Sequence, residues 1–251
     1  MRSMITKNTI ICYVSILSFS AASAQSPVEL VPNGSFEQLE KPVKTFDQLP
    51  NAEGWSNATL GLCDVFVPDA QAKTVGVPEN DYGSIKSVDG ANYAGFFAWK
   101  DDVRRNFDAN DPDDVFVPGW NEYSEYLQCQ LNQPLKENVT YEVVFHVALA
   151  GNSDRSIMGI GAHFCVERMD HQHRKFVEVV PQVYMEEIIK EKGAWKEIRG
   201  EFVADGGESF LVIGTYPYVG GESVNLIEGY DNRYAFFYLD AISVREKVGT
   251  E

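Results

Sequence analysis

The sequence predicts an all-β fold, a two-sheet antiparallel β-sandwich of the jelly-roll kind, from three observations. Short β-branched and aromatic runs recur along the chain, each bounded by Gly, Asn, Asp or Pro. One of them, 195–203, alternates large apolar with polar residues, the period of a half-buried strand. Hydrophobic residues at 44% and aromatics at 12% supply a sizeable core, and no internal repeat or Ser/Gly-rich linker divides the chain. Strands that do not alternate with helical segments favour a sandwich over an α/β sheet.

Taken in order, the first strand-like segment carries Asn33-Gly34-Ser35-Phe36-Glu37. Segments 92–99 and 125–131 read as further strands. The run 141–150, bounded by Asn138 and Gly151-Asn152, is the most β-like. In 157–166, Gly159 and Gly161 predict a bulge or a close backbone approach. The alternating strand 195–203 meets a turn at 205–208, and 209–216 is expected as its hairpin partner. Segment 185–192 has helical composition, or else is a strand edge leading into the Gly193 turn. The last strand is 236–244. A closed sandwich often pairs its first and last strands, which would bring Glu37 and Asp240 together where a hard cation could tie them.

Residues 1–24 read as a secretory signal peptide. Arg2 and Lys7 precede an apolar run from Ile10 to Phe19, and Ala22-Ser23-Ala24 supplies a small-x-small cleavage pattern. That run is too short to span a bilayer, which takes roughly 20 apolar residues. Residues 25–251 are then expected as a single exported domain without a transmembrane segment, periplasmic, outer-membrane-associated or secreted. The chain has 21 Lys plus Arg against 37 Asp plus Glu; removing Arg2 and Lys7 leaves 19 basic residues and a formal charge of about −18. Such a surface repels phosphate backbones and excludes nucleic acid as a partner. It is compatible with cations and neutral ligands such as sugars. Cys63, Cys129 and Cys165 remain in the mature chain, an odd number without metal-binding spacing. Cys129 and Cys165 read as buried small hydrophobes, with a disulfide between them as the alternative.

The motifs also carry a resemblance. Leu30-Val31-Pro32-Asn33-Gly34-Ser35-Phe36-Glu37 is similar to the opening of galactose-binding-like jelly rolls, including carbohydrate-binding modules of families four, nine and twenty-two. Gly54-Trp55, Gly90-Ala91-Asn92-Tyr93-Ala94-Gly95 and Glu125-Tyr126-Leu127-Gln128 resemble later motifs of those modules, in the same order. Segments 135–148, 195–207 and 238–244 complete the pattern, which covers nearly all of the mature chain. The nearest likeness is to the sandwich of exported envelope proteins that often carry an outer-membrane-protein-A-like domain. Here no such domain is expected after Glu251, so the module is read as standing alone. The resemblance implies a structural calcium between the first and last strands, with Glu37 and Asp240 as side-chain ligands and oxygens near Asn33 and Asp89 as additions. Calcium's six to eight oxygen ligands suit that set.

A second acidic stretch, Asp108 to Asp114, lacks the glycine and distal glutamate of an EF-hand loop and reads as solvated. A sugar-binding face needs flat aromatics beside polar groups. Trp120, Tyr123, Tyr216 and Tyr218 are the candidates on loop-like stretches, followed by Tyr230 and Tyr234; Trp55, Trp195 and Phe202 are expected in the core. His171-x-His173 lies in a polar stretch and reads as solvated, with adventitious metal binding as the other reading. No G-x-S-x-G or H-E-x-x-H motif is present. The expected function is an exported, noncatalytic binding module for glycan or another polar envelope ligand. The alternative is a structural or protein-interaction component of the cell envelope, and a small glycoside hydrolase or lyase is the third.

Overall fold

A computed structural model gives the fold and describes residues 28–101, 122–217 and 224–247. In chain order the described strands are β1 (Trp55–Asn57), β2 (Asp64–Phe66), β3 (Glu79–Asn80), β4 (Gly83–Ser84), β5 (Tyr93–Asp101), β6 (Glu122–Tyr123), β7 (Leu127–Gln130) and β8 (Thr140–Leu149). They continue with β9 (Arg155–Ile157), β10 (Ile160–Cys165), β11 (Val183–Tyr184), β12 (Lys196–Val203), β13 (Phe210–Thr215), β14 (Val224–Leu226) and β15 (Tyr234–Glu246). Two single-turn 3-10 helices, Leu49–Asn51 and Lys73–Val75, are the only helical elements among the described residues.

One sheet runs β1-β7-β13-β10-β11, the other β12-β8-β15-β5-β2 with β6 on the β5 edge, and every pairing is antiparallel. This is the expected two-sheet sandwich. Register decides which side chains enter it. Phe237 faces Phe96 on β5 and Leu149 on β8, and Leu239 faces Ala94 and Val147. These residues share the inner face and join Leu127, Cys129, Leu211 and Ile213 of the other sheet in one buried cluster. The opposite face of β5 and β15 carries Tyr93, Phe97, Phe236 and Tyr238. Tyr82, from the β3–β4 hairpin, lies over it, its ring stacked on Phe236 at 3.7 Å. The outer face of the five-stranded sheet has its own cover: Tyr126, Val212 and Tyr216 pack under Val177 in a second cluster.

Several expectations hold. In β12, Lys196, Ile198, Gly200 and Phe202 are buried or half-buried while the residues between them are exposed. The 157–166 run breaks at Gly159 into β9 and β10. The ends of the chain meet: Leu30 N–H donates to Val244 O and Ile242 N–H to Gly34 O, both at 3.0 Å. A Cβ at Gly34 would collide with the Ile242 carbonyl, so glycine is what lets these backbones approach. Cys63, Cys129 and Cys165 are all free thiols, Cys129 buried as expected and Cys165 only half-buried. Among the described residues no helix is long and apolar enough to cross a membrane.

Three expectations need correction. Residues 32–35 form a turn rather than a strand, and the bridges on either side are isolated ones, Glu29 to Arg245 and Leu39 to Ala52. β12 and β13 are not a hairpin: β12 pairs with β8 and β13 with β10 and β7, so residues 204–209 cross from one sheet to the other. The crossing is held by Glu208, whose carboxylate accepts Asp205 N–H (2.9 Å) and Gly206 N–H (2.8 Å). Segment 185–192 forms no helix. Its other reading holds at the end: Met185 N–H donates to Ile160 O, and Lys192 bridges Leu149 as a strand edge leading into Gly193, so tertiary backbone bonds override the helical composition.

Candidate functional site

Two places concentrate the residues that the sequence singled out. The first is the meeting point of the chain ends. Glu37 Oε1 accepts Ala91 N–H (2.8 Å) and Asn92 N–H (2.7 Å). Asp240 Oδ2 accepts Val88 N–H (2.7 Å) and Asp89 N–H (3.1 Å), and its Oδ1 accepts Ala241 N–H (2.7 Å). Asp89 Oδ2 accepts the Ser35 hydroxyl at 2.7 Å. One carboxylate from each end of the chain therefore grips the same turn, 88–92. Gly90 sits at φ +65°, and a Cβ there would meet the Glu37 carboxyl group.

This donor set does not match a calcium cage. Three of the four carboxylate oxygens of Glu37 and Asp240 point their lone pairs at amide hydrogens, where a cation would need them. Asn33 is spent on its own turn: its Oδ1 accepts Gln38 N–H, and its carbonyl accepts Phe36 N–H and the Trp55 indole. Burial pushes the Asp240 carboxyl up to about 6 against the opposing pull of its three amides. Among the described residues no three His, Cys, Asp or Glu side chains gather to hold a metal ion. The turn is clasped by carboxylate–amide bonds, the arrangement of a cap.

The second place is the end of the sandwich where the described flanks of 102–121 and 218–223 emerge. Lys100 and Asp101 pair with β6, so the two flanks of 102–121 lie side by side. Asp101 N–H donates to Arg233 O, and Val224, just after 218–223, pairs with Ile157. Asp231 links the two regions, 3.6 Å from Arg155 Nη2 and 3.3 Å from Arg233 Nη2, while Arg233 Nη1 stands 3.7 Å from Asp101. Beside this ion network lies an aromatic patch. Phe97 contacts Tyr82 (5.5 Å between ring centroids), Tyr234 (5.4 Å) and Tyr123 (6.0 Å), and Lys100 Nζ lies 4.5 Å over its ring. Tyr82, Tyr234 and Lys100 are half-buried and reach solvent.

Under the patch sit two buried acids. Glu125 mends the β5 edge between β2 and β6: its Oε2 accepts Phe97 N–H at 2.8 Å, and its backbone N–H donates to Phe97 O. Its Oε1 shares a 2.6 Å hydrogen bond with the Tyr123 hydroxyl. Asp64 Oδ1 accepts Asp47 N–H at 2.6 Å. Burial first, then the other acid, pushes Glu125 well above the usual carboxylate range, and burial pushes Asp64 up to about 8. The same burial, with Glu125 and Asp64 nearby, keeps the Cys63 thiol protonated.

The sequence candidates separate accordingly. Tyr123 is 3% exposed and Tyr216 4% exposed, so neither presents an open ring face. Tyr216 hydrogen-bonds Val212 O and packs on Tyr126, on the other sheet. Trp120, Tyr218 and the acidic stretch 108–114 lie outside the described residues. Tyr230 is 84% exposed and Tyr234 belongs to the patch. Sequence reasoning missed Tyr82, whose place depends on a hairpin only two residues wide on each side.

No family model matches the sequence, and no curated protein matches it. Among solved structures, the chain is similar to the CBM22-1 xylan-binding domain of Paenibacillus barcinonensis Xyn10C, at 14% identity and a TM-score of 0.44, covering 91% of this chain and 100% of that one. It is similar to the CBM22-1–GH10 modules of the Clostridium thermocellum endo-1,4-β-D-xylanase 10B at 12% identity and a TM-score of 0.40, covering 88% of this chain and only 29% of that one. It is also similar to the K1 cleaved adhesin domain of Lys-gingipain from Porphyromonas gingivalis W83, at 9% identity and a TM-score of 0.34, covering 77% and 98%. Likeness at this level transfers no residue and no ligand. The sandwich stands on its own strand pairing.

Proposed function

We propose that this chain is an exported, noncatalytic binding module for carbohydrate or another polar ligand of the cell envelope. The observation that carries the reading is the convergence, at one end of the sandwich, of the aromatic patch with the flanks of 102–121 and 218–223. Those segments contain Trp120 and Tyr218, two of the sequence candidates for stacking a sugar. A pyranose offers an apolar C–H face to a ring and hydroxyls to ionic groups; Tyr82 and Tyr234 supply rings, and Lys100, Asp101, Asp231 and Arg233 supply the polar partners.

The test is a glycan panel probed with the mature chain, with and without calcium. Saturable binding to at least one polysaccharide is expected, reduced about tenfold or more, roughly 1.4 kcal/mol, by Trp120→Ala, Tyr218→Ala or Tyr234→Ala. The amide-bonded clasp supports binding that is indifferent to calcium. A blank panel combined with capture of defined envelope proteins would replace this reading with the adaptor, and turnover of a bound glycan would replace it with an enzyme.

A further inference from the structure

The cover of the five-stranded sheet holds a feature that glycan binding does not use. Residues 171–173 run parallel to 58–60: Thr59 bridges His171, His171 N–H donates to Ala58 O, and Leu60 N–H donates to His173 O, both at 3.0 Å. These bonds tie the stretch to 58–60, and the chain bends from Gln172 onward. His171 and His173 stand ring against ring, centroids 5.1 Å apart and planes 29° from parallel. Gln172, between them, is turned to Asp170 (2.9 Å). His173 Nδ1 accepts the Lys175 N–H at 3.2 Å, leaving Nε2 as the nitrogen available to a ligand. Burial, His171 and Lys175 hold the His173 imidazole below its ordinary 6.5. Lys175 opposes a cation here and Glu178 favours one, within a chain whose net charge is −16.

We propose that His171 and His173 form a two-imidazole chelate for a late first-row dication of the Zn²⁺ or Ni²⁺ kind, with water completing its shell. Imidazole suits these ions, which it binds at about 2.0–2.1 Å, and both rings are half-buried rather than enclosed. No third His, Cys, Asp or Glu joins them among the described residues, so the ion is exchangeable rather than structural.

The experiment is calorimetric titration of the tag-free mature chain with ZnCl₂ and, separately, NiCl₂ near neutral pH. One ion per chain is expected, with affinity falling as pH drops through the imidazole range and on the order of tenfold or more in His171→Ala and in His173→Ala. Metal-free melting temperatures of the variants check folding, and His171→Gln and His173→Gln serve if an alanine variant unfolds. Absence of saturable binding by the wild type, or binding unchanged in the double variant, would overturn the proposal.

Discussion

Asp64 and Glu125 show how far a residue's chemistry departs from its type once the fold surrounds it. Both are 2% exposed, and hydrogen-bond donors rather than cations are their direct partners. A buried carboxylate without a cation resists ionisation. Asp64 rises from 3.8 to about 8 in the folded chain, so the folded state holds the proton more tightly than the unfolded one. The associated stability is fully present below about pH 4 and is lost as pH climbs toward 8. Asp64→Asn keeps an acceptor for Asp47 N–H and removes the titration. Melting temperatures across that window should therefore fall less steeply in the variant than in the wild type; parallel curves would refute the assignment. Gly90 tests the clasp at the same scale. Its φ of +65° and its contact with Glu37 predict that Gly90→Ala costs about 1–3 kcal/mol in denaturant unfolding. Neither acid's burial was legible in the sequence, because Asp64 and Asp69 look alike until register places one of them against β5.

At the scale of elements, local pattern read strands well and partners poorly. The alternation at 195–203 gave β12 its buried and exposed faces directly, because side-chain period is a property of one strand. The hairpin with 209–216 failed because a turn signal tells the chain to reverse without saying in which sheet. Glu208, bonded to the amides of its own loop, and Gly207 N–H, donating to Leu135 O, steer the chain across the sandwich. In segment 185–192 the helical reading gives way to the strand edge, with Met185 bonded to β10 and Lys192 bridged to β8 just before Gly193. The β5 edge yields a prediction here. Glu125→Ala leaves Phe97 N–H without its acceptor and should cost about 1–3 kcal/mol, whereas Glu125→Gln retains an acceptor and should cost clearly less. Equal losses on chemical denaturation would show that the side chain is not completing the ladder.

At the scale of the whole molecule, the described ends of the chain are joined twice, by backbone bonds at Leu30–Val244 and Gly34–Ile242 and by Glu29, which accepts from Val244 N–H, Ser243 and Arg245. With the turn 88–92 held by amides, chelators should leave the melting temperature unchanged; a drop of several degrees with EDTA, restored by calcium, would show that an ion shares the clasp. Residue pattern alone carries the β class, the longer strands β5, β8, β10, β12, β13 and β15 and the adjacency of the termini, since these follow from side-chain period, turn residues and closure of a sandwich. It takes the folded chain to show that Glu37 and Asp240 meet amides, that Tyr216 is roofed over while Tyr82 and Tyr234 reach solvent, and that His171 and His173 stand together. Those outcomes depend on which backbones approach in space, and register and long-range hydrogen bonds set that, not local composition.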